Sequence, residues 1–141
     1  MKKLLLLLLF LIPNLVMAEL KPLSFSLEDS PSVKVYKAQR CAAFFLASEW
    51  LFEISKKPEI AKAMNGKATM LESLAYSAAK NSKAKIRPDI NAEGVMRIYD
   101  SYINDMQSSK AVSGNYMDGV AGNDAASCNS LYDSVELALN R

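Results

Sequence analysis

The stretch Arg40-Cys41-Ala42-Ala43-Phe44-Phe45-Leu46-Ala47 decides the fold. Cys41, Phe44, Phe45, Ser48, Leu51 and Phe52 recur at spacings of three and four, the period of an α-helix with one apolar stripe. Ala42, Ala43, Leu46, Ala47 and Trp50 fall largely outside that stripe, so the middle of the helix is apolar nearly all round. Such a helix must be covered on several sides, by its own domain or by a partner. The stretch also carries the first of only two cysteines. The second, Cys128, lies on another apolar stripe with Leu131, Tyr132, Val135 and Leu139. We therefore expect an all-α fold, a small bundle of four or five helices, with the first and last clasped by a Cys41–Cys128 disulfide.

Working outward, Ser30-Pro31 marks the start of the first helix: serine caps free N–H groups, and proline is tolerated at the first helical position. Lys56-Lys57-Pro58 ends it. Pro58 to Asn81 is helical again, with Ile60, Met64, Leu71, Leu74, Ala75 and Ala78 on one side. Gly66 costs about 1 kcal/mol relative to alanine in a helix interior, so this segment is either split there or bent. Ser82 to Ile90 reads as a basic connecting loop. Asn91 can cap a third helix reaching about Lys110, with Val95, Ile98, Tyr99, Tyr102 and Met106 at helical spacing. Val112 to Gly122 holds three of the five glycines and is the clearest irregular segment; the last helix is expected from Asn123-Asp124. Before all of these, Glu19 to Asp29 alternates Leu23, Phe25 and Leu27, as an extended arm with one covered face would.

Residues 1–18 have the parts of a secretory leader: Lys2 and Lys3, the apolar run Leu4 to Ile12, a Pro13-Asn14 break, and Val16-Met17-Ala18 before the expected cleavage. The apolar run is shorter than the roughly 20 residues that cross a bilayer. The expectation is a periplasmic or secreted single helical domain, residues 19–141, without a stable membrane anchor after cleavage. With no histidine, Ser-His-Asp and Cys-His catalysis and His-ligated metal sites are unavailable. Setting Lys2 and Lys3 aside, 17 basic residues become 15 against 15 acidic ones, so nucleic-acid binding has no electrostatic support.

The cysteines lack a Cys-x-x-Cys arrangement and a thiol-activating histidine, and export favours a structural disulfide. Glu49 and Glu53, one turn apart beside Trp50, are the nearest approach to a carboxylate pair, though glutamates at this spacing usually line a solvated face. Asn115, Asp118, Asn123 and Asp124 do not follow the spacing of a calcium loop, and no metal or cofactor is expected. Loops carry binding residues, which makes Gly114, Asn115, Tyr116, Met117, Asp118, Gly119, Asn123 and Asp124 the candidate partner-binding set. Lys80, Lys83, Lys85 and Arg87 form a candidate basic patch. Lys34, Lys37 and Arg40, three apart on the first helix, read as a solvated face or as a complement to an acidic partner.

Arg40-Cys41-Ala42-Ala43 and the segment Cys128-Asn129-Ser130-Leu131-Tyr132-Asp133-Ser134-Val135-Glu136-Leu137 together resemble periplasmic immunity proteins that neutralise type VI secretion amidase effectors. Those are small exported helical proteins with one cysteine near the start and another preceding a C-terminal helix. The resemblance implies a non-enzymatic protein that binds another protein and inhibits it by inserting a loop or helix end into its active-site cleft; the Gly114 to Asp124 segment, as the clearest irregular loop, is the expected inserting element. The competing expectation is a periplasmic stress chaperone exposing the apolar surface of the first helix, or a structural protein. An enzyme using carboxylates alone is a third.

Overall fold

The computed structural model describes residues 20, 23–24, 29–81 and 88–140. Among them are four helices and no strand: α1 (Pro31–Ile54), α2 (Pro58–Asn81), α3 (Pro88–Ser113) and α4 (Val120–Leu139). The expected leader lies outside the described residues, as do Phe25 and Leu27 of the expected arm.

The first helix begins as its sequence dictates. The Ser30 hydroxyl accepts from the Val33 N–H at 3.4 Å, and Pro31 sits at the first helical position. Its end is tighter than cations followed by proline would require. The Lys56 N–H donates to the Glu53 carbonyl and the Lys57 N–H to the Phe52 carbonyl, with Lys56 at φ 57°. That pattern is a Schellman cap with lysine where glycine is usual, and it turns the chain directly into α2.

Helix α1 is the central element and touches each of the others. Cys41, Ala42, Ala43, Phe44, Phe45 and Ala47 are all buried, at 0–3% exposure. The other helices therefore cover most of the apolar girdle, while Leu46 and Trp50 stay half-buried. Phe44 meets Phe45 and Tyr102 edge-on, and Phe45 meets Tyr132 of α4. The disulfide between Cys41 and Cys128 joins α1 to α4 inside this core.

Helix α2 is continuous through Gly66, which resolves the choice between a split and a bend in favour of one helix. Its buried face is Ala61, Ala68, Leu71, Ala75 and Ala79, rotated from the expected side; Ile60 is 40% exposed, and Met64, Leu74 and Ala78 are half-buried. Alanines dominate the seam because α1 contributes Ala38, Ala42, Ala43 and Ala47 to the same clusters. Small side chains let the helices approach closely, leaving larger residues at the flanks. Lys67 then crosses from α2 to α4: its ammonium lies 4.6 Å from the Tyr132 ring centre and donates to the Asn129 side-chain oxygen at 2.9 Å.

Both later helices start earlier than expected. Pro88 opens α3, which places Asn91 inside the helix, where its buried side chain accepts from Gln39 at 2.6 Å instead of capping. Val95, Tyr102 and Met106 form the buried stripe, with Ile98 and Tyr99 beside it, as the spacing predicts. Helix α4 starts at Val120 rather than at Asn123-Asp124. Its Gly119 cap has no side chain to satisfy the free N–H groups, and the Asp105 carboxylate of α3 accepts from the Ala121 N–H at 3.0 Å. A cap supplied from another helix leaves no local sequence signal.

Two glycines predict opposite outcomes. A Cβ at Gly66 would meet nothing within 4 Å, so Gly66→Ala should stabilise the protein by about 1 kcal/mol, from helix propensity. A Cβ at Gly122 would fall 1.8 Å from the Met117 carbonyl oxygen, forcing the backbone of the α3–α4 turn to move. Gly122→Ala should destabilise by roughly 1–3 kcal/mol. Paired urea unfolding curves check both signs, and equal midpoints for the two variants would refute the assignment.

Candidate functional site

Two surface features adjoin near the C-terminal part of α1. One is the turn between α3 and α4. Gly114 takes φ +82°, which L-residues rarely adopt, and its carbonyl accepts from the Lys110 ammonium at 2.7 Å. Asn115 organises the rest: its side-chain oxygen accepts from the Met117 N–H at 3.1 Å, and its amide donates to Asp118 at 2.6 Å. The turn is thus held by its own side chains.

The expected partner-binding residues separate into distinct environments. Gly114, Asn115, Asp118 and Asn123 are exposed, and Val112 beside them is 89% exposed. Tyr116, Met117 and Gly119 are half-buried. Tyr116 and Met117 pack on the core, Tyr116 edge-on to Trp50 with ring centres 6.0 Å apart, so they anchor the turn rather than project from it. Asp124 is wholly buried and cannot contact a partner.

Asp124 instead anchors an internal network. Its carboxylate accepts from Arg40 Nε at 2.8 Å, from the Tyr102 hydroxyl, and from the Leu23 N–H at 2.8 Å, while Arg40 Nη2 lies 2.6 Å away. Ser127 donates to the Leu23 carbonyl, which pins the arm at this point. Burial alone would disfavour the Arg40 charge, but its bonds and proximity to Tyr102 and Asp124 outweigh that and raise its pKa. Burial, and then the bond to Asp124, pushes the Tyr102 hydroxyl up, so it remains a proton donor. Arg40 is 3% exposed and Lys37, paired with Asp29, is 8% exposed. The solvated or partner-facing stripe expected on α1 is therefore an internal set of ion pairs, with only Lys34 exposed. Lys80 is exposed at the end of α2; Lys83, Lys85 and Arg87 lie outside the described residues.

The second surface feature is an open groove of about 280 Å³ between α1 and α3, lined by Leu46, Glu49, Trp50, Glu53, Met96 and Tyr99. Glu49 is half-buried and accepts from the Asn65 amide at 2.9 and 3.0 Å; Glu53 is exposed. Burial, followed by the fields of Asp100, Glu49 and Glu53, raises the Tyr99 pKa. The carboxylate pair was visible in the sequence, but its aromatic wall on α3 was not, because that juxtaposition depends on helix packing. Among the described residues no group of three acidic or cysteine side chains could hold a metal ion: Asp124 faces Arg40, and Asp118 bonds to Asn115.

Comparison with known protein families, characterised proteins and solved structures yields no match. Among the described residues, the fold and surface define a disulfide-clasped four-helix protein whose internally hydrogen-bonded α3–α4 turn lies beside an aromatic groove.

Proposed function

We propose that the chain is an exported, non-enzymatic protein that binds another protein through the face where the α3–α4 turn meets the α1–α3 groove. Its sharpest form is an immunity or inhibitor protein, as the resemblance at the two cysteine segments implies. The observation that carries the reading is the self-stapled turn: Asn115 and Lys110 hold it in shape, while Val112, Gly114, Asn115 and Asp118 remain exposed. A preorganised loop loses little conformational freedom on docking, so more of its contact energy appears as affinity. Export rests on the leader pattern of residues 1–18 and on the disulfide, which persists in oxidising compartments.

The chaperone alternative drew its support from the apolar girdle of α1, and the other helices cover most of that girdle, leaving Leu46 and Trp50 half-buried. A carboxylate enzyme would need a desolvated acid. Glu53 is instead exposed, and Glu49 is engaged by Asn65.

Photo-crosslinking residues placed at Val112 and at Met96, both exposed and outside the turn's bonding pattern, test the reading in periplasmic extract from the native host. Adducts with one and the same protein are expected from both positions, and none from Ser73 on α2. Absence of adducts from both, or equal labelling from Ser73, would exclude this binding face.

A further inference from the structure

We propose that the α1–α3 groove receives a lysine or arginine side chain from a basic segment of the partner protein. This rests on the protein-binding reading above and specifies which chemistry the face selects. The groove's size comes first. At about 280 Å³ it lies below the roughly 300–1,000 Å³ typical of pockets for drug-sized ligands, so it suits one long side chain better than a cofactor.

Its walls supply the second argument. Trp50 and Tyr99 present aromatic surface, whose faces attract cations, while Leu46 and Met96 can pack the methylene stem of a lysine or arginine. Tyr116 backs Trp50 edge-on, and the Lys110 ammonium lies 5.2 Å from the Tyr116 ring centre. The aromatic group outside the groove thus already holds one cation of this chain.

Charge completes the case. Glu49 and Glu53 line the groove, and Asp100 adjoins Tyr99. Among the described residues, none of the three forms an ion pair with a lysine or arginine, and Glu53 has no side-chain hydrogen bond. Glu49 is oriented by the Asn65 amide, a neutral donor that leaves the carboxylate's charge uncompensated. An aromatic groove with net negative charge and no cation of its own is complementary to an incoming basic side chain, and it disfavours an acidic one through repulsion.

Trp50 is the only tryptophan, so its fluorescence reports directly on occupancy. Titrating the intact mature protein with an acetylated, amidated tetra-arginine peptide should give a saturable change that weakens as salt is raised, while tetra-glutamate gives none. Glu49→Gln with Glu53→Gln should weaken peptide binding on the order of tenfold, whereas Asp133→Asn on α4 leaves it unchanged. Circular dichroism on each variant verifies folding. No saturable change, or equal affinity in the double glutamine variant, would overturn the proposal. If Val112 and Met96 crosslink one partner in both the parent and the double glutamine variant, the binding face stands and its charge selectivity fails. If the peptide binds but neither position captures a partner, the cation groove stands and the protein-binding reading fails.

Discussion

Asp124→Ala is expected to destabilise the protein by about 3–5 kcal/mol, the range found when one partner of a buried charge pair is removed. The size follows from what would be left behind. Arg40 would keep its charge at 3% exposure while losing the carboxylate that it contacts through both Nε and Nη2. The Tyr102 hydroxyl and the Leu23 N–H would each lose an acceptor. An unsatisfied buried polar group adds roughly 1–3 kcal/mol, although these costs overlap and do not simply sum. Replacing both charges, as in Arg40→Met with Asp124→Leu, should cost less than Asp124→Ala alone, since the buried guanidinium is removed together with its carboxylate. Urea unfolding of the two variants makes the comparison; a double variant less stable than the single one would mean that the pair acts by attraction and not by mutual neutralisation.

Replacing Cys41 and Cys128 together with alanine is expected to lower stability by about 4–5 kcal/mol in the chain-entropy treatment, since the bond joins residues 87 apart. Such a loss is comparable to the whole stability of many small domains. Besides apolar packing such as Tyr132 against Phe45, α4 is tied to the other helices among the described residues by the Asp124 network, the Lys67 bridge to Asn129 and Tyr132, and the Asp105 carboxylate at its N-terminus. Amide exchange should therefore accelerate first in α4 of the alanine pair, while the α1–α2 hairpin retains protection. Because both cysteines are fully buried, a reductant should act on the folded parent protein only as fast as the core opens. Uniform loss of protection across all four helices would show instead that the clasp supports the bundle as a single unit.

Turn chemistry at the two ends of α1 was legible because its signals are local. Serine before proline and Lys-Lys-Pro act through backbone geometry within a few residues, and the observed cap and Schellman turn are where those residues stand. The starts of α3 and α4 were displaced for the opposite reason. Asn91 has the chemistry of a cap, but it bonds to Gln39, 52 positions away, and the carboxylate serving α4 comes from Asp105 on another helix. The same distinction separates the surface features. Asn115 and Gly114 belong to a turn that their residue types predict, whereas the groove needs Tyr99 and Met96 carried against Trp50 by packing.

By itself, the sequence determined the all-helical architecture, the apolar girdle around Cys41 and the pairing of the two cysteines. Period, composition and a single available partner suffice for those. Tertiary structure alone decided that Arg40 and Asp124 are internal partners, that Tyr116 and Met117 face inward, and that Glu49 and Glu53 border an aromatic groove. Helical periodicity establishes which residues share a face; which other face covers it depends on side-chain volumes and charges brought together from distant parts of the chain.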